Sequence, residues 1–187
     1  MHVNQGAPLS HRLRRTAAAS AALATTAAMH GSASLDLRFN WTLSAPVGVY
    51  RELPGPSRRG DLALLCLPSN IERLGRARSY LSSGSCGSGS SPVLKQVVAL
   101  PGDEVEVRQD FFAVNGRMLD RSELRDVDSL GRPLAHVPLG YRKVPDGEAW
   151  VLGIHRERSW DSRYFGPIPI ESIVGRVEPL FVLGRSD

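Results

Sequence analysis

The chain is poor in the groups on which most metal and cofactor chemistry rests. It has two cysteines in 187 residues, Cys66 and Cys86. Their separation excludes a C-x-x-C redox motif and the four-ligand pattern of a zinc site. The five histidines are isolated; without H-E-x-x-H or comparable spacing they make no metal centre. No glycine-rich phosphate loop follows a strand-like run, so no nucleotide cofactor is expected, and no other cofactor either. Aromatics are 6% of residues and form no RNP-type pattern. The net charge of +4 comes mostly from scattered arginines, which reads as a soluble basic surface rather than a nucleic-acid face. Sustained helical periodicity is missing after the N-terminus. With 18 Gly and 13 Pro, turns are favoured over long helices.

Charge is also missing from residues 16–35, which hold no Asp, Glu, Lys or Arg. His11, Arg12, Arg14 and Arg15 precede them. Twenty uncharged residues just span a bilayer, with the arginines left on the cytoplasmic side. The stretch is mostly Ala, Thr and Ser, so it reads as a weak signal-anchor. A cleaved signal peptide fits as well, since Gly31-Ser32-Ala33 offers small residues for cleavage; an Ala-rich helix is the plain alternative. The expected organisation is a short basic cytoplasmic tail (1–15), a signal-anchor or signal peptide (16–35), and a periplasmic body (36–187). Two cysteines fit one disulfide in an oxidising compartment, and two buried thiols also fit.

The body reads as mainly β. Strands are expected over 48–51, 62–67, 95–100, 104–107, 149–153 and 173–177. Asn115-Gly116 marks a tight hairpin, and residues 71–81 a short helix. Residues 82–92, rich in Ser and Gly, read as a loop; residues 121–142, punctuated by Gly and Pro, read as an irregular excursion.

Three runs carry chemistry: Asn40-Trp41-Thr42-Leu43-Ser44-Ala45-Pro46, Lys95-Gln96-Val97-Val98-Ala99-Leu100-Pro101-Gly102-Asp103, and Ser159-Trp160-Asp161-Ser162-Arg163-Tyr164-Phe165-Gly166. A serine hydroxyl needs a base to become a nucleophile. Lysine serves only when neutral, hence in a dry pocket that lowers its pKa. Val93, Leu94, Val97, Val98 and Leu100 give Lys95 such surroundings. Pro46 keeps the Ser44 segment extended or turning, and in an extended segment Thr42 points to the same side as Ser44. Its hydroxyl is a candidate oxyanion donor. Asp161 and Arg163 can form a charge-assisted pair, and Ser159 can aim the Lys95 amine at Ser44. His155, near the last run, is read as a surface histidine.

In this order the runs resemble the type I signal peptidases, which share the serine motif, the Lys-x-x-x-x-x-Pro-Gly-Asp strand and the Ser-x-Asp-Ser-Arg-Tyr-x-Gly box. The resemblance is closer to their TraF-type branch, the conjugative-transfer peptidases that mature pilin. It is carried by Arg38-x-Asn40-x-Thr42-x-Ser44-x-Pro46-x-Gly48-x-Tyr50-Arg51, Tyr80-Leu81-x-x-Gly84-x-Cys86, Asp128-Ser129-x-Gly131-Arg132-Pro133-Leu134 and the box from Asp161 to Pro167. Gly153-Ile154-His155 and Ala45 stand where housekeeping signal peptidases have Gly-Asp-Asn and Met, which points to the specialised branch. The resemblance implies a coiled, partly open β-sheet catalytic domain. It implies Ser44 as nucleophile, Lys95 as general base, Asp161 as important for activity, Thr42 in the oxyanion hole, and Ser159 and Arg163 as orienting groups. The expected activity is a serine endopeptidase acting on a conjugative pilin precursor at the inner membrane, through an acyl-enzyme resolved by water or by cyclisation. The expected partners are that precursor and the membrane, with no nucleic acid and no metal. The rivals are a general signal peptidase and a non-catalytic assembly protein of the transfer apparatus.

Overall fold

A computed structural model describes residues 37–41, 45–155, 157 and 159–183. The basic tail, residues 16–35, Thr42 and Ser44 lie outside the described residues. Two antiparallel sheets make up the body, and neither closes on itself. The larger has strand order β1-β2-β11-β3-β4-β9-β10, formed by Leu37–Asn40 (β1), Val47–Leu53 (β2), Leu62–Leu65 (β3), Val93–Ala99 (β4), Glu148–Leu152 (β9), Ile168–Pro169 (β10) and Ile173–Leu183 (β11). The smaller has order β7-β6-β5-β8, from Glu104–Val107 (β5), Phe112–Val114 (β6), Arg117–Leu119 (β7) and Gly140–Lys143 (β8). The fold is mainly β, as expected.

The eleven-residue β11 ties the large sheet together. Its first part pairs with β3 and its later part with β2. Register irregularities between Ile173 and Gly175 and between Pro179 and Phe181 let it bend from one partner to the other. Gly48 of β2 sits so near this strand that a Cβ would lie 2.2 Å from the Phe181 carbonyl oxygen. Glycine is required there by contact.

Strand β4 is central, with β3 on one side and β9 on the other. Val97 and its partner Val151 are fully buried with Ala63, Leu65 and Ile168. Each of the valine, leucine and isoleucine side chains contributes roughly 1.5–3 kcal/mol, so the strand is held firmly. Its other face joins two further clusters. Leu94 packs with Ala45, Tyr50 and Val177, and Val98 with Val105, Phe112 and Trp150. The turn that follows is fixed by Asp103, whose carboxylate accepts from the Leu100 N–H at 2.9 Å and from Asn115 Nδ2 at 2.9 Å. That is the work of the Pro-Gly-Asp motif.

The helix runs Ser69–Ala77 (α1), earlier at both ends than expected, because Ser79 takes a left-handed φ of 60° and the chain turns away. Residues 82–92 form a loop, as expected, closed by one isolated bridge. Ser83 bridges Ser90, and Cys86 N–H donates to the Ser90 carbonyl at 2.8 Å. A Cys66–Cys86 disulfide ties this loop to the end of β3. The excursion 121–142 ends in β8, which the sequence pattern did not mark. It is anchored by a Val127–Pro133 bridge and by Val137 N–H donating to the Arg163 carbonyl at 3.0 Å.

Candidate active site

Lys95 is the third residue of β4, opposite Ala63, and only 5% exposed. Strand alternation places it on the same face as Val97 and turns it away from the Leu94 cluster. Its Nζ donates to Ser159 Oγ at 2.7 Å. Burial lowers its pKa from 10.5 to about 8; the Asp161 carboxylate partly opposes this, and Arg163 reinforces it. Desolvation is thus the dominant cause, as a dry lysine base requires.

Ser159 is held by a buried ion pair. Arg163 grips Asp161 in a bidentate arrangement, Nε to Oδ1 at 2.8 Å and Nη2 to Oδ2 at 2.9 Å, and both side chains are fully buried. Asp161 also accepts the Gly153 N–H at 3.0 Å and caps the short helix Ser162–Phe165 (α2) through the Arg163 N–H. Arg163 donates to the Ser159 carbonyl at 3.4 Å and to the Glu123 carbonyl at 3.0 Å. Burial works against its charge, and Asp161 more than offsets this, raising its pKa. The box is therefore a capped helical turn pinned to β9, where Val151 N–H donates to Ser162 Oγ at 3.0 Å. Its ion pair fixes the backbone from which Ser159 reaches Lys95.

Three of the sequence-derived site residues, Ser159, Asp161 and Arg163, thus converge with Lys95. Thr42 and Ser44 lie outside the described residues, but both ends of their segment are fixed. The buried Asn40 side chain donates to the carbonyls of Ala45 at 3.1 Å and Pro46 at 3.0 Å, and Tyr50 Oη donates to the Pro46 carbonyl at 2.6 Å. Asn40 and Tyr50 were visible in the sequence pattern without a role; each has one here. Cys66 and Cys86 are joined to each other just after β3. His155 is half-buried beyond β9 and, among the described residues, joins no bond that bears on the site.

Sequence reasoning missed the bonds that hold a further part of the cleft lined by Lys95, Tyr80 and Asp128. Tyr80 Oη donates to Asp128 Oδ2 at 2.6 Å, and Arg132 Nε donates to the same oxygen at 2.7 Å. The N–H groups of Leu130 and Arg132 bond Asp128 Oδ1. These bonds, the one from Tyr80 first, hold the Asp128 carboxyl well below the usual carboxylate range. Arg78 donates to the Pro133 carbonyl at 2.7 Å. Two motifs 48 residues apart thereby form one latch on residues 121–139, a strap whose Val127, Asp128, Ser129 and Leu134 line one cleft with Lys95. Gly75 of α1 matters too, since a Cβ there would meet Leu81 at 2.6 Å and Trp160 at 2.8 Å. Trp160 adjoins Ser159, so α1 packs directly behind the lysine's partner. No group of His, Cys, Asp and Glu able to hold a metal occurs among the described residues.

A family model described as signal peptidase, peptidase S26, matches residues 14–182. A conjugal transfer protein TraF of Agrobacterium fabrum is 38% identical over 149 residues, covering 77% of this chain and 81% of that protein. A plasmid transfer protein TraF of Escherichia coli is 30% identical, covering 76% of this chain and 81% of its own. A signal peptidase I of Bacillus caldolyticus is 39% identical over 92 residues, 46% of this chain and 50% of that protein. This chain belongs to the peptidase S26 family of signal peptidases.

Proposed function

We propose that the chain is a Ser/Lys serine endopeptidase, with Ser44 as nucleophile and Lys95 as general base, that processes a conjugative pilin precursor. A peptidase-type role in conjugation is supported by family membership and by relatives named for conjugal transfer. The observation that carries the dyad is the buried Lys95 amine, aimed by Ser159 and lowered to about 8. Holding a lysine that far below its ordinary value costs the folded state roughly 3 kcal/mol at neutral pH. A non-catalytic assembly protein has no use for that cost.

Neutral Lys95 takes the Ser44 proton as Oγ bonds to the scissile carbonyl carbon. The Thr42 hydroxyl is assigned to the oxyanion. As the C–N bond breaks, Lys95 returns the proton to the leaving amine, and the acyl chain remains as an ester on Ser44. Water then attacks to give a linear product, or the pilin's own N-terminal amine attacks to close a ring. A tethered amine competes well because its effective concentration is high. At pH 7 about one Lys95 in ten is neutral, so the rate rises with pH until the amine is fully deprotonated.

Location at the inner membrane, with the body in the periplasm, is part of the same reading. The outward face of β1, β2 and β11 supports it. Leu37, Phe39 and Trp41 stand there beside Val49, with Phe181 and Leu183, and each of these except Val49 is exposed. Among the described residues no helix is long and apolar enough to cross a membrane.

The test is processing of the pilin precursor by Ser44→Ala and Lys95→Ala variants, with mass spectrometry of the product. Loss of processing in both is expected; full processing by both contradicts the dyad. A product one water lighter than the linear pilin marks cyclisation.

A further inference from the structure

Lys95 and Ser159 form one wall of a cleft of about 630 Å³. Its floor is apolar, made by Leu67, Leu81, Val93, Leu134, Trp160 and Tyr164, while Arg125 and Glu157 stand among the charged groups of its lining. The far wall is the strap, through Val127, Asp128 and Ser129. Because the Tyr80–Asp128–Arg132 latch holds the strap in place, the cleft is preformed. Its size is that of a site for a substantial ligand, far more than an alanine methyl fills.

The faces of β4 indicate which part of the substrate enters. Leu94 faces the cluster that contains Ala45, next to Ser44 in the chain, whereas Val93 and Lys95 line the cleft. A base that deprotonates the nucleophile and then protonates the leaving amine must reach both atoms. Ala45 packs on the Leu94 face of β4, so the cleft on the Val93 and Lys95 face is the side assigned to the leaving segment.

We propose that this cleft is the subsite for the leaving side of the substrate, and that it selects a bulky apolar side chain within the first few residues after the cut bond. The inference rests on the Ser44–Lys95 reading. The latch and strap make it a specificity element: the cut-proximal residue settles against Leu81, Leu134 and Trp160, while the polar lining meets solvent and the peptide backbone.

The experiment is cleavage of a proteome-derived peptide library by the full chain in detergent micelles, with the new N-termini read by mass spectrometry. Leu, Met and Phe are expected to be enriched at one of the first three positions after the cut, and Asp and Glu depleted. For a matched peptide pair, leucine at that position is expected to give kcat/KM at least about tenfold above alanine. Leu134→Trp, which fills the floor, and Ser129→Trp, at the exposed rim where folding is not at risk, are each expected to bring that ratio close to one. Uniform residue usage after the cut, or a leucine-to-alanine ratio unchanged in both variants, overturns the subsite while leaving the dyad intact. No cleavage of any peptide or precursor by the wild-type chain refutes the dyad reading, and the subsite with it.

Discussion

The chain has two lysines, and they occupy opposite kinds of strand. Lys95 is on the central strand β4 of the large sheet, opposite Ala63, with its amine on Ser159. Lys143 is on β8, the edge of the small sheet, exposed and opposite Glu104. An edge position offers water and an opposing carboxylate, the ordinary comfort of a surface lysine. The central position offers neither, and burial dominates. What makes one lysine a candidate base is therefore its neighbours, not its residue type, and each neighbour can be removed.

The largest contrast is in activity. Lys95→Ala is expected to lower kcat/KM by at least about a thousandfold, while Lys143→Ala stays within about twofold, measured on the same precursor. Comparable losses from both would erase the distinction. Asp161→Asn leaves Arg163 charged and poorly paired in the interior. A stability loss of about 3 kcal/mol or more is expected by chemical denaturation, with the pH–rate limb moved lower, because Asp161 raises the Lys95 pKa.

Lys95→Met moves stability the other way, with a gain of about 2–3 kcal/mol at pH 7 and no activity. The folded-state pKa is the lower one, so between about pH 8 and 10.5 the unfolded chain binds more protons than the folded chain. Wild-type stability therefore climbs through that window, and the methionine variant lacks the climb; equal slopes in paired denaturation series would contradict the burial penalty. Tyr80→Phe is the mildest change. It removes one bond to a charged carboxylate, about 1.5–3 kcal/mol, and hydrogen exchange is expected to quicken across residues 124–134 while β5 and β8 are unaffected.

Much of this arrangement was legible before any fold was known. The strands β2, β3, β4, β9 and β11 announce themselves through apolar runs and β5 through the alternation Glu104-Val105-Glu106-Val107, and Asn115-Gly116 marks the β6–β7 hairpin correctly. The Ser159–Lys95 contact and the Asp161–Arg163 pair were read from motif order. Strand β1 escaped because its apolar residues, Leu37 and Phe39, point outward and mimic no buried face. Two-residue β10 and the start of β8, bracketed by Gly140, carry too little pattern to register. The latch was unreadable for another reason. Tyr80 and Asp128 each sit in a recognisable motif, but a hydrogen bond across 48 residues depends on how the excursion folds back. The glycines show the same limit: Gly48 falls in the expected strand 48–51 and Gly75 in the expected helix 71–81, where glycine has no local reason to stand, and only the packing against Phe181 and Trp160 shows why no side chain fits.

Because the chain holds only two lysines, the central claim has a direct readout. Protein labelled with carbon-13 at lysine Cε gives two side-chain resonances, assigned by Lys143→Arg, and each can be followed as pH is raised. The Lys95 resonance is expected to titrate near pH 8 and to move when Ser159 is replaced by alanine. A Lys95 resonance titrating near 10.5, as in an exposed lysine, would contradict its assignment as a buried general base.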